Sequence, residues 1–406
     1  MKKVVVIGAG ASGLMAAYAA AKNGHDVTVI EKNEKAGKKI YITGKGRCNI
    51  TNDILPDEFF ANVVNNAKFL YGCIHTFSPQ KLMEFLEKGG LSLKTERGGR
   101  VFPLSDKASD VTACLMDYCK NAGVKFCFNE NVEKIEVNQG TLSGIITQNR
   151  KILTDCVVVA TGGKSYPGTG STGDGYRFAE LLGLKVIPPR PALCGINCDM
   201  SHISSLQGLA LKNVRISAVK DNKEIASFFG EMLFTHFGIS GPTVLSLSSI
   251  LNKFDLRQIR LYIDLKPALD KETLDKRILR DFQKFHEKEI QNALVELLPK
   301  SLILPVLNSA GIPANIRVSS FSRANREKLV NVLKAFKIIP VSLRDFSECI
   351  VTAGGVDVKE INPKTMECKK ISGLYFTGEV LDVDAFTGGY NLQIAFSTGY
   401  VAGSSI

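Results

Sequence analysis

Residues 2–7 form a short apolar run of the kind expected for a buried parallel strand, and the run passes directly into Gly8-Ala9-Gly10-Ala11-Ser12-Gly13. Alanine-rich residues 14–22 then predict a helix that Gly24 stops, and residues 26–30 predict a second buried strand ending in Glu31. Strand, helix and strand within about thirty residues, with an acid about twenty positions past the glycines, is the pattern of a dinucleotide-binding turn. The glycines have separate duties: Gly8 permits the tight turn, Gly10 lets backbone amides approach a pyrophosphate, and Gly13 allows close helix–strand packing. Glu31 is placed to accept hydrogen bonds from a ribose diol. The candidate nucleotide contacts at this end are therefore Gly8, Ala9, Gly10, Ala11, Ser12, Gly13, Glu31 and Lys32.

Two later segments extend the ligand. Residues 155–160 predict a strand whose Ala160 leads into Thr161-Gly162-Gly163, which resembles the element that closes over the nucleotide in two-dinucleotide-type flavoproteins. Residues 373–379 are an apolar strand ending in Gly378-Glu379, a pattern that presents a carboxylate to ribityl hydroxyls, and Gly388-Gly389-Tyr390-Asn391-Leu392-Gln393 opens a last helix. A helix N-terminus there stabilises negative charge on a reduced flavin pyrimidine. A cofactor that needs both ends of the chain is FAD rather than NAD alone. The glycine string recurs at Gly168-Thr169-Gly170-Ser171-Thr172-Gly173. Its surroundings do not form a second nicotinamide domain, because residues 161–167 separate it from the strand before it and Pro188-Pro189 stands where an acidic strand end belongs. It predicts a glycine-rich loop near the flavin or its substrate, followed by a helix over 174–182.

At 406 residues the chain predicts two or three domains, one of them interrupted by an insertion. No apolar run reaches the roughly 18 residues of a membrane span and no signal cleavage site follows the first strand, so the chain reads as cytoplasmic. Ten cysteines without a Cys-x-x-Cys pair read as scattered reduced thiols. The Cys194 and Cys198 pair matches no common zinc spacing, so no metal is expected. The net charge of +11 is dispersed, with no five-residue basic block, which favours a basic enzyme over a nucleic-acid binder.

The remaining motifs resemble the BaiN and aminoacetone oxidase-like family of NAD(P)/FAD-dependent oxidoreductases. The resemblance spans nearly the whole chain. It is carried by residues 37–52 with Thr43-Gly44-Lys45-Gly46-Arg47-Cys48-Asn49, by 99–103 with Ser105 and Lys107, by 170–175, by 233–242, by 351–356 and by 376–393. It implies an α/β fold with a Rossmann-type FAD-binding domain built from both chain ends, 1–190 and 345–406. An inserted β-barrel-like substrate domain then covers 191–269 and 338–344, and a small helical subdomain covers 270–337. The alternating segments 214–219 and 259–265 fit the β-rich part, and Leu274, Ile278, Phe282, Phe285 and Ile290 share one helical face.

Beside FAD, Gly44 and Gly46 would permit backbone approach, Lys39 and Arg47 would neutralise pyrophosphate, and Thr43, Cys48, Asn49 and Thr51 belong to the same contact segment. Val132 sits where related folds grip adenine with backbone groups. His236, between Phe234 and Phe237, is either a general acid or a structural histidine, and Tyr390 either donates a proton to an enolate or packs against the ring. Arg100, Lys164 and Tyr166 are candidates for an anionic substrate. The resemblance implies a reductase that takes hydride from transiently bound NAD(P)H and delivers it to an activated C=C or C=N bond of a small molecule, an enone of the 3-oxo-steroid or bile-acid type. An oxidase of small amines releasing hydrogen peroxide and a tRNA-associated flavoenzyme remain open.

Overall fold

The computed structural model describes residues 1–201 and 203–406. These fall into two compact units, Met1–Ala192 with Phe346–Ile406, and Leu193–Asp345.

The first unit is built on β1 (Lys3–Ile7), α1 (Ala11–Lys22), β2 (Asp26–Ile30), β3 (Lys125–Cys127), β4 (Cys156–Val159), β5 (Leu374–Phe376) and α2 (Tyr390–Ser405). The strands lie parallel in the order β5-β4-β1-β2-β3. Their near-continuous apolar runs follow from burial on both sheet faces: Val4 to Ile7, all of β4 and all of β5 are buried. Helix α1 is apolar almost all round because it is enclosed, with Leu14, Met15, Ala16, Ala17 and Ala20 fully covered. One of its neighbours is α2, brought from the other end of the chain. The two helices meet backbone to backbone, since a Cβ on Gly399 would stand 2.3 Å from the Ser12 carbonyl oxygen and one on Gly403 would stand 2.2 Å from that of Ala16. The C-terminal segment thus completes the Rossmann core.

The second unit holds a seven-stranded antiparallel sheet in the order Phe336–Ile338, Arg260–Asp264, Ala210–Lys220, Lys223–Thr235, Gly238–Ser240, Ile196–Cys198, Pro340–Leu343. Helices Lys271–Lys284, Lys300–Ala310 and Arg323–Lys334 share one hydrophobic core with it, in which Ile216 and Ile263 of the sheet join Leu274, Ile278, Val306 and Leu333. The apolar stripe of a charged helix needs a partner, and here the inner face of the sheet supplies it. The helical face read from Leu274 to Ile290 breaks after Lys284, where Phe285 caps the helix, and Ile290 opens a separate short helix.

All ten cysteines are free, and every one except Cys127 is buried. Burial pushes the Cys48, Cys73, Cys119 and Cys198 thiols up to about 12, leaving them uncharged and unreactive at neutral pH. In native protein a disulfide-exchange reagent is expected to modify Cys127 first, and the other nine only at the rate of unfolding. Mass-spectrometric mapping of the labelled positions checks this, and rapid native labelling of Cys48 or Cys73 would contradict it.

Candidate functional site

The turn between β1 and α1 is shaped by three glycines under three different constraints. Gly8 has φ +103° and a Cβ there would stand 2.6 Å from the Ala160 carbonyl oxygen, while a Cβ on Gly13 would stand 1.9 Å from the carbonyl oxygen of Gly8. Those two are required by the protein itself. Gly10 differs: its backbone is extended at φ −85°, and a Cβ there would meet nothing within 4 Å. The space beside Gly10 lies at the N-terminus of α1, which has no side-chain cap and no acid in its first turn. Uncapped amides and a positive dipole end would suit an anion in that space.

Glu31 is buried at the end of β2, where its Oε2 accepts from Ala9 N at 2.8 Å and its Oε1 from Asn33 N at 2.9 Å and Asn33 Nδ2 at 2.6 Å. The carboxylate therefore braces the glycine turn. Its backbone carbonyl accepts from Glu130 N at 3.1 Å, which sets Val132, two residues on and buried, at the same end of the sheet. Lys32 Nζ donates to Asp174 Oδ2 at 2.6 Å and Thr172 Oγ1 at 2.5 Å, and Asn33 Nδ2 donates to Thr169 O at 3.1 Å. The second glycine string is thus a loop seated against the acidic end of β2 and followed by the helix Asp174–Leu181.

Among the described residues three buried hydroxyls have no protein partner, Thr235 Oγ1 in the second unit and two in the first: Thr161 Oγ1, just past β4, and Thr377 Oγ1, just past β5. β4 and β5 are parallel neighbours with Val159 opposite Phe376, so both hydroxyls stand at the carboxyl ends of adjacent strands. That crevice is where open α/β sheets bind ligands, and an orphaned buried hydroxyl is expensive unless a ligand satisfies it. The open space at Gly10, the anion-binding helix end and these hydroxyls fit an extended dinucleotide such as FAD.

The other end of that crevice joins the chain termini. Gly389, with φ +99°, packs so closely that a Cβ would stand 2.3 Å from the Thr51 carbonyl oxygen. Thr51 Oγ1 donates to Gln393 Oε1 at 2.6 Å and Asn52 Nδ2 donates to Gly388 O at 3.1 Å; with the Asn49 amide assigned so that its nitrogen donates to Thr51 O and Val101 O, its oxygen accepts from Gly389 N at 3.0 Å. Asn391 clamps Ala385 through both ends of its amide, at 2.9 Å and 2.7 Å. Tyr390 is buried with its ring edge-on to Phe59 at 5.3 Å, and burial pushes its phenol above the usual range. Leu392 lies in the first turn of the same helix, half-buried.

Glu379 is held from three directions: Lys39 Nζ on Oε2 at 2.5 Å, Ser165 Oγ on Oε1 at 2.9 Å and Thr352 N on Oε1 at 2.8 Å. Lys39 also donates to Ser165. A Cβ on Gly163 would lie 2.5 Å from Thr352 Oγ1 and one on Gly162 2.8 Å from Ser171 Oγ, so both glycines are demanded by close approach. The carboxylate, expected to face ribityl hydroxyls, thus spends both oxygens on protein donors.

Several expected contacts are committed elsewhere. Arg47 forks between Glu96 and Asp106, with Nε to Asp106 Oδ1 at 2.8 Å, and lies over the Phe102 ring at 4.3 Å. Its charge is neutralised by those two carboxylates rather than left for a pyrophosphate; the hydrogen bonds from Arg47 hold Glu96 below the usual carboxylate range, and those from Lys94 and Arg47 hold Asp106 below it. Thr43 Oγ1 donates to Lys39 O at 2.8 Å, closing its own helical turn. Cys48 is fully buried with φ +60°, and Gly44 and Gly46 also take positive φ, so this segment is a tight coil. Arg100 is exposed and donates to Arg97 O, Lys164 and Tyr166 are half-buried, and burial raises the Tyr166 phenol. His236 belongs to the second unit, exposed in the turn before Gly238, with its ring edge-on to Phe237 at 5.2 Å. Residues the sequence did not single out as contacts are Ser165, Thr352, Thr377 and Gln393. Their signal was weak, because a lone Ser, Thr or Gln in an apolar run is ambiguous until its distant partner is known.

A family model described as the HI0933-like protein Rossmann domain matches residues 2–405. A 3-dehydro-bile acid delta(4,6)-reductase of Clostridium scindens is 32% identical over 99% of this chain and 98% of its own. A ribosomal RNA dihydrouridine synthase of Haemophilus influenzae is 32% identical over the same shares of the two chains. Among solved structures, the 3-ketosteroid-delta4-(5alpha)-dehydrogenase of Rhodococcus jostii superposes with a TM-score of 0.55 at 16% identity, covering 100% of this chain and 96% of that one.

Proposed function

The chain belongs to the HI0933-like family of Rossmann flavoproteins, which are FAD-dependent oxidoreductases, and from that premise we propose that it reduces a carbon–carbon double bond conjugated to a carbonyl, with NAD(P)H as the electron donor. The observation that carries this reading is what the two curated relatives have in common. One is named for reducing the delta(4,6) double bonds of a 3-dehydro bile acid, and the other for making dihydrouridine. In both, the double bond is polarised by a conjugated carbonyl, so hydride is added at the far carbon and a proton at the near one.

When bound, the flavin supplies a two-electron hydride carrier at its N5. The chain's own residues do the rest. The α1 amides with the space at Gly10 would hold the cofactor's pyrophosphate, and Glu31 would accept from a ribose hydroxyl. The α2 N-terminus would stabilise negative charge on its pyrimidine. Lys39, Ser165 and Thr352 hold the Glu379 carboxylate in place beside Gly163. Tyr390, the first residue of α2 and packed edge-on against Phe59, is the proton donor of this proposal, its phenol protonated at neutral pH.

Anaerobic stopped-flow mixing with NADH and NADPH tests the donor, followed by mixing of the reduced protein with an enone or a uridine oligonucleotide. Flavin bleached by neither nicotinamide sinks the reductase reading, and reoxidation by O2 with peroxide at turnover rate replaces it with an oxidase. Tyr390→Phe keeps the packing on Phe59 and is expected to slow reoxidation by substrate about 10²- to 10⁴-fold, the usual worth of a positioned proton donor. Bleaching by the nicotinamide should be unchanged. Equal slowing of both half-reactions would remove Tyr390 from the donor role.

A further inference from the structure

The second unit carries 22 Lys and Arg against 15 Asp and Glu, so it holds +7 of the chain's +11. Its sheet gathers part of that charge on one face. Alternation along Ala210–Lys220 and Arg260–Asp264 sends Ile216, Ala218, Leu261 and Ile263 into the core. The opposite face is built by register: Phe229 stands opposite Arg215, Ser227 opposite Ser217, Ser217 opposite Tyr262, and Tyr262 opposite Lys337. Phe229 is 60% exposed, Tyr262 is half-buried, and Arg215 and Lys337 are exposed without an ion pair among the described residues. Of the acids paired on these strands, Asp264, opposite Arg215, is neutralised by Lys334 Nζ at 2.6 Å, and Glu224 stands opposite Val219. Glu224 and Glu231 stand at the margin of the face, on Lys223–Thr235.

A large exposed aromatic on a strand, with a second ring two strands away and cations between and beside them, is a poor solvent face and a good stacking platform. We propose that this sheet face binds single-stranded RNA, bases lying on Phe229 and Tyr262 while Arg215 and Lys337 hold phosphates. Strand spacing and rise put the two rings roughly 12 Å apart, room for neighbouring bases splayed on an extended strand. Charge complementarity selects a polyanion, and the exposed rings select one whose bases are unstacked. The inference leans on the reductase reading only in naming uridine as the base to be delivered, because binding is measured without turnover.

The test titrates oxidised holoenzyme into a fluorescent oligouridylate of about a dozen nucleotides at low and physiological salt. Wild type is expected to bind with a steep salt dependence. Phe229→Ala should weaken binding about 10-fold with the salt slope intact, as loss of stacking does. Arg215→Ala should weaken it and lower the slope of log K against log salt by about 0.7, one single-strand phosphate contact. Lys364→Ala, an exposed lysine of the first unit, should bind as wild type does. Three results overturn the proposal: no wild-type binding at low salt, a Phe229→Ala protein that binds like wild type, or Lys364→Ala losing as much as Arg215→Ala. Tighter binding of a duplex than of the single strand would also overturn it. Nicotinamide bleaching of the same proteins should be unaltered, and its absence in wild type would count against the reductase reading while leaving the binding isotherm to judge the RNA face.

Discussion

A Gly10→Ala protein is expected to fold as stably as wild type and yet to purify with little or no flavin. At Gly10 the backbone is extended, φ −85° and ψ −170°, a conformation any residue adopts, and a Cβ would touch no protein atom within 4 Å. Alanine there narrows the unfolded ensemble, so the apo protein should be unchanged or more stable by about 0.4–1 kcal/mol. The added methyl nevertheless occupies the space through which pyrophosphate reaches the α1 amides. Overpacking of about 1–3 kcal/mol against the ligand corresponds to roughly 10- to 100-fold weaker FAD binding. Thermal unfolding of deflavinated proteins and FAD titration by flavin fluorescence read the two effects separately. A variant that keeps stoichiometric FAD with unchanged affinity would mean that the space at Gly10 is plain solvent and that the dinucleotide lies elsewhere.

The second large effect is expected at the opposite end of the site, and there stability and cofactor should fail together. Gly389→Ala puts a Cβ 2.3 Å from the Thr51 carbonyl oxygen and 2.4 Å from its carbon, at φ +99°. Neither atom is the free end of a side chain, so the strand Thr51–Asn52 and the start of α2 must separate. Separation breaks the Asn49 to Gly389 and Thr51 to Gln393 hydrogen bonds. Backbone strain and clash together should cost about 3 kcal/mol or more, a fall in Tm of roughly 6–12 °C for the first unit. Gly24→Ala is the control, because Gly24 also has positive φ, +83°, but a Cβ there meets nothing within 4 Å. It should lose only about 1 kcal/mol. Equal losses in the two proteins would show that φ alone matters at Gly389 and that the two chain ends are not locked there.

Much of the first unit was legible before folding because its demands are local. A buried parallel strand writes itself as an apolar run, and a tight turn at φ +103° accepts glycine and little else, so Gly8 and the strand before it announce each other. Glu31 at the end of β2 is a matter of count along one strand–helix–strand unit. The second glycine string was equally readable as a loop, since prolines and spacing exclude a second such unit. By contrast, the helical segment after Lys271 showed its apolar stripe but not the partner that the stripe would cover. Only the packed core shows that it shares one interior with the sheet of the same unit.

The roles of charged and hydroxylic side chains were the least legible. Arg47 in a glycine-rich string reads as a phosphate ligand until folding sets it between Glu96 and Asp106, 49 and 59 positions away. Lys39 and Glu379 are 340 positions apart, and nothing in either neighbourhood names the other. The dispersed positive charge showed no basic block along the chain, yet strand register sets Arg215, Tyr262 and Lys337 from three separate segments on one face. The sequence by itself determined the dinucleotide turn, the use of both chain ends and the class of cofactor, because strand periodicity and glycine-only backbone conformations depend on each residue and its near neighbours. Tertiary structure alone decided which charges are spent on each other, which buried hydroxyls lack a protein partner and which basic residues share a surface. Those depend on distances between segments that no local pattern encodes.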